Sequence, residues 1–271
     1  MRKSFTLRSI VVLLAVSGFC HTGMHAQVTL GSSPYSENFD GIGTALPTGW
    51  TVRTGANATA LGTAQALVTA TTIWTSTTGN FHNSASADAP ATATDNTATQ
   101  AANTDRALSV RQTGAFGDPG AAFVLQLANT TGLVDFDLSV SVQQLHQAAA
   151  GRTTTWSVDY GFGATPTSFT TVTTSPGTVS TLQGTFSNGV VTADFGTALD
   201  NNAGPVWIRI VALSATAGGG TRPHTGIDDF QLNYATSGTN TSVEFATTSS
   251  TVSEGVGTVN LTLEITDEDA T

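Results

Sequence analysis

The sequence predicts an all-β protein: an antiparallel two-sheet sandwich of jelly-roll type, followed by the first strands of a second sandwich. Three observations carry this reading. The chain is rich in Thr, Ser, Ala, Gly and Val, with 28 glycines, 8 prolines and only 10% charged residues, a composition that favours strands joined by turns. Several segments alternate between apolar and polar side chains, the period of a half-buried strand. No segment holds a helical period over a convincing length.

The chain opens with an export leader. Arg2, Lys3 and Arg8 form a basic start, and residues 10–16 are an apolar run too short to span a bilayer. Cleavage is expected after Ala26, leaving Gln27 at the front, so that 1–26 is a signal peptide and the mature chain is secreted or displayed at the cell surface. Cys20 follows the bulky Phe19, where a lipid-anchoring signal needs a small residue. Removing 1–26 removes the only Cys, the only Lys and both Met. Six arginines then face 19 acidic residues, a formal charge of −13. Such acidity argues against nucleic acid as a partner and suits divalent cations. Without disulfides the domain must rest on its own core, for which about 200 residues suffice.

Residues 33–235 read as the main domain. The stretch 35–40 alternates, with Tyr35, Glu37 and Phe39 on one face. Leu46-Pro47-Thr48-Gly49-Trp50 then turns the chain into a short strand over 50–53. Residues 54–104 hold few large apolar side chains and are read mostly as loops over the sandwich, with one strand near 72–76 around Trp74. Strands follow at 107–111 and 121–127. In 133–144, Val134, Phe136, Leu138, Val140 and Val142 share one face and Asp135, Asp137, Ser139 and Ser141 the other. Residues 153–162 repeat the pattern with Trp156, Val158, Tyr160 and Phe162. Residues 206–213 are largely apolar on both faces, which predicts a central strand whose outer face is wrapped by loops. The closing strand spans 226–234, and by its parity Asp228 shares the face of Phe230, Leu232 and Tyr234. A polar linker, 236–241, leads to a new β pattern at 242–271.

Glu37 and Asp228 both fall on the apolar register of their strands, where an unpaired carboxylate costs several kcal/mol to bury. Calcium, which takes six to eight oxygens in tolerant geometry, would compensate. An arginine such as Arg106 or Arg209, protonation, or a rim position open to water would also serve. Asp40 and Asp229 are the next candidate ligands. Trp74 and Trp207 are the candidates for an exposed platform that stacks a sugar ring, whereas Trp156 and Tyr160 belong to a regular inward face. Catalytic signals are weak. His82, His146 and His224 have no metal-ligand spacing, there is no Gly-x-Ser-x-Gly elbow and no cysteine nucleophile. Gly218-Gly219-Gly220 leads into Thr221-Arg222-Pro223 and not into a phosphate-binding helix. Asp228 and Glu37 are the one carboxylate pair worth considering for glycoside hydrolysis.

Two resemblances add to this. Ser242-Val243-Glu244-Phe245-Ala246 and the run from Thr251 to Leu263, with its Ser253-Glu254-Gly255 turn, resemble the start of a Calx-beta domain. That likeness implies a calcium ligand at Glu254 and a sandwich of which 242–271 is only a part. The Glu264, Asp267, Glu268 and Asp269 run reads as solvated charge. The main domain is similar to MAM and cleaved-adhesin jelly rolls of secreted multidomain bacterial proteins. This rests on Glu37-Asn38-Phe39-Asp40 with Leu46-Pro47-Thr48-Gly49-Trp50 at one end and Gly226-Ile227-Asp228-Asp229-Phe230 at the other. It implies first and last strands lying side by side, near a structural calcium. The expected function is a non-catalytic, calcium-binding adhesion module whose partner is an extracellular glycan or protein. The alternatives are the accessory front of a secreted nuclease or glycosidase, and a carbohydrate-binding module.

Overall fold

The computed structural model describes residues 26–88, 91–145, 151–181, 186–238, 242–245 and 263–266. In chain order the first strands are β1 (Tyr35–Glu37), β2 (Trp50–Thr54), β3 (Thr63–Gln65), β4 (Leu67–Thr71), β5 (Asn80–Ala85), β6 (Arg106–Arg111) and β7 (Ala122–Leu127). They continue with β8 (Leu133–Gln144), β9 (Arg152–Phe162), β10 (Thr170–Val172), β11 (Thr174–Ser175), β12 (Val179–Thr181) and β13 (Ser187–Asp194). The last are β14 (Val206–Val211), β15 (Ala217–Gly218), β16 (His224–Thr236), β17 (Ser242–Phe245) and β18 (Leu263–Thr266). A turn of 3-10 helix over Asp40–Gly43 and a short helix α1 (Thr97–Ala102) complete the described elements.

One sheet runs β11-β13-β8-β16-β6-β5-β4 with β1 against β16; the other runs β10-β9-β14-β7-β2-β3 with β12 and β15 against β9. All pairs within these sheets are antiparallel except β4 with β5. The predicted two-sheet sandwich is the fold, and its first and last strands do lie side by side, Tyr35 opposite Leu232 and Glu37 opposite Phe230. Among the described residues β17 pairs with β18 alone, Ser242 opposite Thr266.

Alternation explains the core. Phe136, Leu138 and Val140 of β8 meet Trp156 and Val158 of β9, Ile208 and Ile210 of β14, and Phe123 and Leu125 of β7 in one buried cluster. Strand β14 is buried on both faces, as its apolar sequence predicts. Its outer face, with Trp207 and Val211, forms a second cluster with Ala56, Ala122 and Val124. The two motifs that mark the ends of the domain meet through aromatic rings: Trp50 stands edge-on to both Phe39 and Phe230, with centroids 4.9 Å apart in each case, and its indole N–H donates to the Tyr35 hydroxyl at 2.9 Å. Gly49, just before Trp50, lets Val28 and the Gln126 carbonyl pass close to the chain. It sits at φ +79°, and a Cβ there would lie 2.4 Å from Val28 Cγ2.

Two expectations are corrected. The segment 54–104, read mostly as loops, also contributes the short elements β3, β4, β5 and α1, and Trp74 sits in a turn after β4 rather than in a strand. Short, Thr-rich strands carry little hydrophobic pattern, so backbone pairing and not burial defines them. The parity argument for Asp228 also fails. Between the pairs Asp228–Ser141 and Gln231–Ser139, β16 holds one residue more than β8, a bulge centred on Asp229 at φ +45°. The extra residue resets the alternation. Ile227, opposite Val142, and Leu232, opposite Leu138, both face the core, whereas Asp228 stands opposite Ser141 on the outer face.

Truncating Phe230, which joins the seam to the core, is expected to cost about 3–5 kcal/mol in Phe230→Ala. Chemical denaturation would show this as a lowered midpoint, and an unchanged midpoint would contradict the packing described.

Candidate metal centre

Three aspartates converge where the bulge breaks β16. Asp88, Asp228 and Asp229 each place a carboxylate oxygen within 4.8 Å of the others. The bulge does this, since in a regular strand Asp228 and Asp229 would point to opposite faces. Asp88 arrives with the segment that follows β5 and crosses the outer face of the sheet.

That covering segment is fastened by side chains rather than by a strand ladder. Ser86 donates its hydroxyl to Asp228 Oδ2 at 2.6 Å and accepts from Gln143 Nε2 at 2.8 Å, while the Ala87 N–H donates to Gln143 Oε1. Trp74 donates its indole N–H to the Ala85 carbonyl, and its backbone N–H donates to Gln100 Oε1. Asn96 caps α1 by accepting from the Ala98 and Thr99 N–H groups. Asn188 of β13 donates to Asp88. Beneath the segment, His224, Ser84 and Ser109 form a buried polar network, with the Ser109 hydroxyl 3.0 Å from His224 Nε2 and the Trp74 carbonyl 3.1 Å from Nδ1. His224 is fully buried, so this serine–histidine contact serves packing and not chemistry on a substrate.

Asp228 is 1% exposed. Burial pushes its carboxyl up to about 8; hydrogen bonds from Ser86 and the Asp229 N–H oppose this, and the charges of Asp229 and Asp105 reinforce it. Asp105 is raised by burial and by repulsion from Asp40 and Asp229, and Asp88 by burial and by repulsion from Asp229 and Asp105. Neither described ion pair, Arg209–Asp159 nor Arg222–Asp118, involves these residues. The arrangement is a set of mutually repelling oxygen donors, with Arg106 attracted to Asp105 and Asp40, and such a donor set fits a hard divalent cation.

The other residues proposed from the sequence take different places. Glu37 faces the core side of β1 and accepts from the Phe39 N–H at 3.0 Å, holding the turn that follows. It is thus on the opposite face from Asp228, which also breaks the glycosidase pairing. Asp40 accepts from the Arg106 N–H at 2.9 Å and from Asn38 Nδ2 at 2.7 Å, so it links the 3-10 turn to β6. Arg106 gives its guanidinium to Asn83 and to the carbonyls of Gln100 and Asn103, and Arg209 forms a two-pronged pair with Asp159 on the other sheet at 2.7 Å. Glu254 lies outside the described residues. Asp88 and Asp105 were not singled out from the sequence, because nothing local distinguishes them from solvated loop aspartates.

Neither tryptophan is an exposed platform. Trp74 is 3% exposed and packs against Phe186, and Trp207 is 5% exposed with its indole N–H donating to the Gly163 carbonyl. Both are covered because loops fold over the outer faces of the sheets. Trp207 nevertheless lines a groove of about 1040 Å³, with Arg53, Leu61, Gln126 and Pro166, and the Arg53 guanidinium lies 5.5 Å over its ring.

No family model and no curated protein sequence matches the chain. Solved structures that resemble it include the CBM22-1–GH10 modules of Clostridium thermocellum xylanase 10B, complexed with xylohexaose, at 13% identity and TM-score 0.35. That match covers 73% of this chain and 27% of that one, so the chain spans about a quarter of its length. The K1 cleaved adhesin domain of Lys-gingipain from Porphyromonas gingivalis W83 matches at 11% identity and TM-score 0.39, covering 74% of this chain and 98% of that one. The Stig cyclase Fisc from Fischerella sp. TAU matches at 13% identity and TM-score 0.39, covering 75% and 90%. Likeness at this level assigns no activity. No helix among the described residues is long and apolar enough to cross a membrane.

The raised carboxyl of Asp228 has a stability consequence with a definite sign. In metal-free protein the folded state keeps a proton up to about pH 8 that the unfolded chain releases near 3.8. Stability therefore falls as pH rises from about 4 to about 8. Melting curves across that window in EDTA should show the fall, and Asp228→Asn should flatten it; an equal fall in both proteins would assign the effect elsewhere.

Proposed function

We propose that the chain is an exported, non-catalytic binding module whose outer-face segment is held down by a divalent cation, calcium by the all-oxygen character of the donors. The observation that carries this is the convergence of Asp88, Asp228 and Asp229, with Asp228 buried. A cation there would keep Asp228 ionised, offset the repulsion from Asp105, and join the covering segment to β16. Ser86, Asp88 and Asp105 lie on or beside that segment, while Asp228 and Asp229 belong to the sheet, so the ion would be structural. The leader at 1–26 and the acidic, cysteine-free mature sequence support export. The Calx-beta resemblance of 242–271, with Glu254, supports a second module of the same protein.

The groove beside Trp207 supports a glycan as the partner. It combines an apolar base in Leu61, Pro166 and the indole with the Arg53 guanidinium and threonine hydroxyls at its rim. Shaped apolar surface with a few polar groups is what a sugar ring requires.

Calcium at about one hundred times its dissociation constant should add roughly 2.7 kcal/mol, raising the melting temperature of EDTA-treated protein by roughly 5–10 °C for a domain of this size. Asp88→Asn and Asp228→Asn should each abolish most of the gain. An unchanged melting temperature and unchanged protease resistance of 86–105 on adding calcium would sink the metal reading. For the groove, Arg53→Ala is expected to weaken retention on a glycan array without lowering the melting temperature by more than a few degrees, and full retention would move the ligand surface elsewhere.

A further inference from the structure

We propose that Gln27 becomes the amino terminus of the exported chain and closes on itself to form pyroglutamate, an inference that rests on the export reading above. The structure places the junction well for both events. Ala26 and Gln27 are exposed, and Gln27 makes no hydrogen bond among the described residues. Backbone pairing begins one residue later: the Val28 N–H donates to the Gln126 carbonyl at 2.9 Å, the Ala128 N–H donates to the Val28 carbonyl at 2.8 Å, and the Val28 side chain is buried. The bond between Ala26 and Gln27 therefore lies just outside the first residue locked to the sandwich, where a peptidase can reach it.

Cleavage there frees an α-amine whose own side chain carries an amide carbon at the distance that closes a five-membered ring. The Gln27 nitrogen attacks its Cδ, forming the new C–N bond. The bond from Cδ to the side-chain nitrogen breaks, and that nitrogen leaves as ammonia with a proton from the attacking amine. No oxidant, cofactor or second substrate is needed, and holding both groups on one residue supplies the proximity. Because the carboxamide is exposed, no packing has to be broken to reach the ring geometry.

The composition of the chain gives the step a consequence. Residues 27–271 contain no lysine, so the amine of Gln27 is the last primary amine in that stretch and its cyclisation removes it. The product carries no charge at the start of the domain. It also presents a lactam to aminopeptidases immediately ahead of Val28, whose two backbone bonds attach this end of the chain to β7.

The test is to express residues 1–271 with their own leader in an exporting bacterial host and treat the intact, folded protein with an amine-reactive ester. The amino-terminal tryptic peptide, ending at Arg53, is then read by mass spectrometry. The expected result is an unlabelled peptide starting at residue 27 and lighter than its linear form by one ammonia, with Gln27→Ala taking up one label per chain. A labelled, linear Gln27 peptide would overturn cyclisation while leaving export intact. A peptide starting at another residue near 27 would overturn the junction while leaving export intact, and an uncleaved chain starting at Met1 would count against export itself.

Discussion

A carboxylate at 1% exposure on the outer face of a sheet needs compensation, and much of this molecule is arranged around Asp228. It is buried by the segment that crosses from β5 to β6, not by the core. The same segment brings Ser86 as a hydrogen-bond donor and Asp88 as a further negative charge. Hydrogen bonds alone leave the carboxyl raised, so covering the sheet and neutralising Asp228 are one problem. A protonated Asp228 and a cation-bound Asp228 are its two physical solutions, and they respond to pH in opposite ways.

The second sheet solves the equivalent problem internally. Arg209 on the outer face of β14 is also fully buried beneath a loop, but Asp159 pairs with it through two 2.7 Å bonds, and the Ala60 and Asn57 carbonyls accept its remaining N–H groups. Phe169 closes the stack, its ring 3.3 Å from the guanidinium. Positive and negative charge therefore balance within that pair. The face around Asp228 gathers Asp88, Asp105 and Asp229 with no such partner among the described ion pairs. The contrast between the two faces, more than the acidic composition, is what motivates the proposed cation.

Both loops also shape the surfaces a ligand would meet. The loop held by Arg209 forms one wall of the groove beside Trp207, and the covering segment leaves Asp229 open to solvent at the bulge of β16 in the other sheet. Rigid strands below and side-chain-fastened loops above set variable surface on a fixed frame.

The alternating segments were legible in the sequence because period-two patterning is a local consequence of burying one face. Strands β8, β9 and β16 and the core placement of Trp156 follow from it, the both-sided burial of β14 follows from its apolar residues on both faces, and the pairing of first and last strands was implied by the jelly-roll resemblance. The short strands β3, β4 and β13 and the helix α1 were not legible, since Thr- and Ala-rich segments acquire structure from backbone partners supplied elsewhere in the chain. The candidate site was half legible. Asp228 was recognised as a carboxylate in need of a partner, but its face was misassigned, because one extra residue at Asp229 inverts the alternation and a bulge leaves no mark in composition. Asp88 and Asp105, far from Asp228 in sequence, become its neighbours only when the covering segment folds over the sheet. The sequence by itself determined the sandwich, its core strands and the charge that must be balanced. Only the tertiary structure decided where that charge is buried and which residues share it, since burial on an outer face depends on a segment that carries no periodic signal of its own.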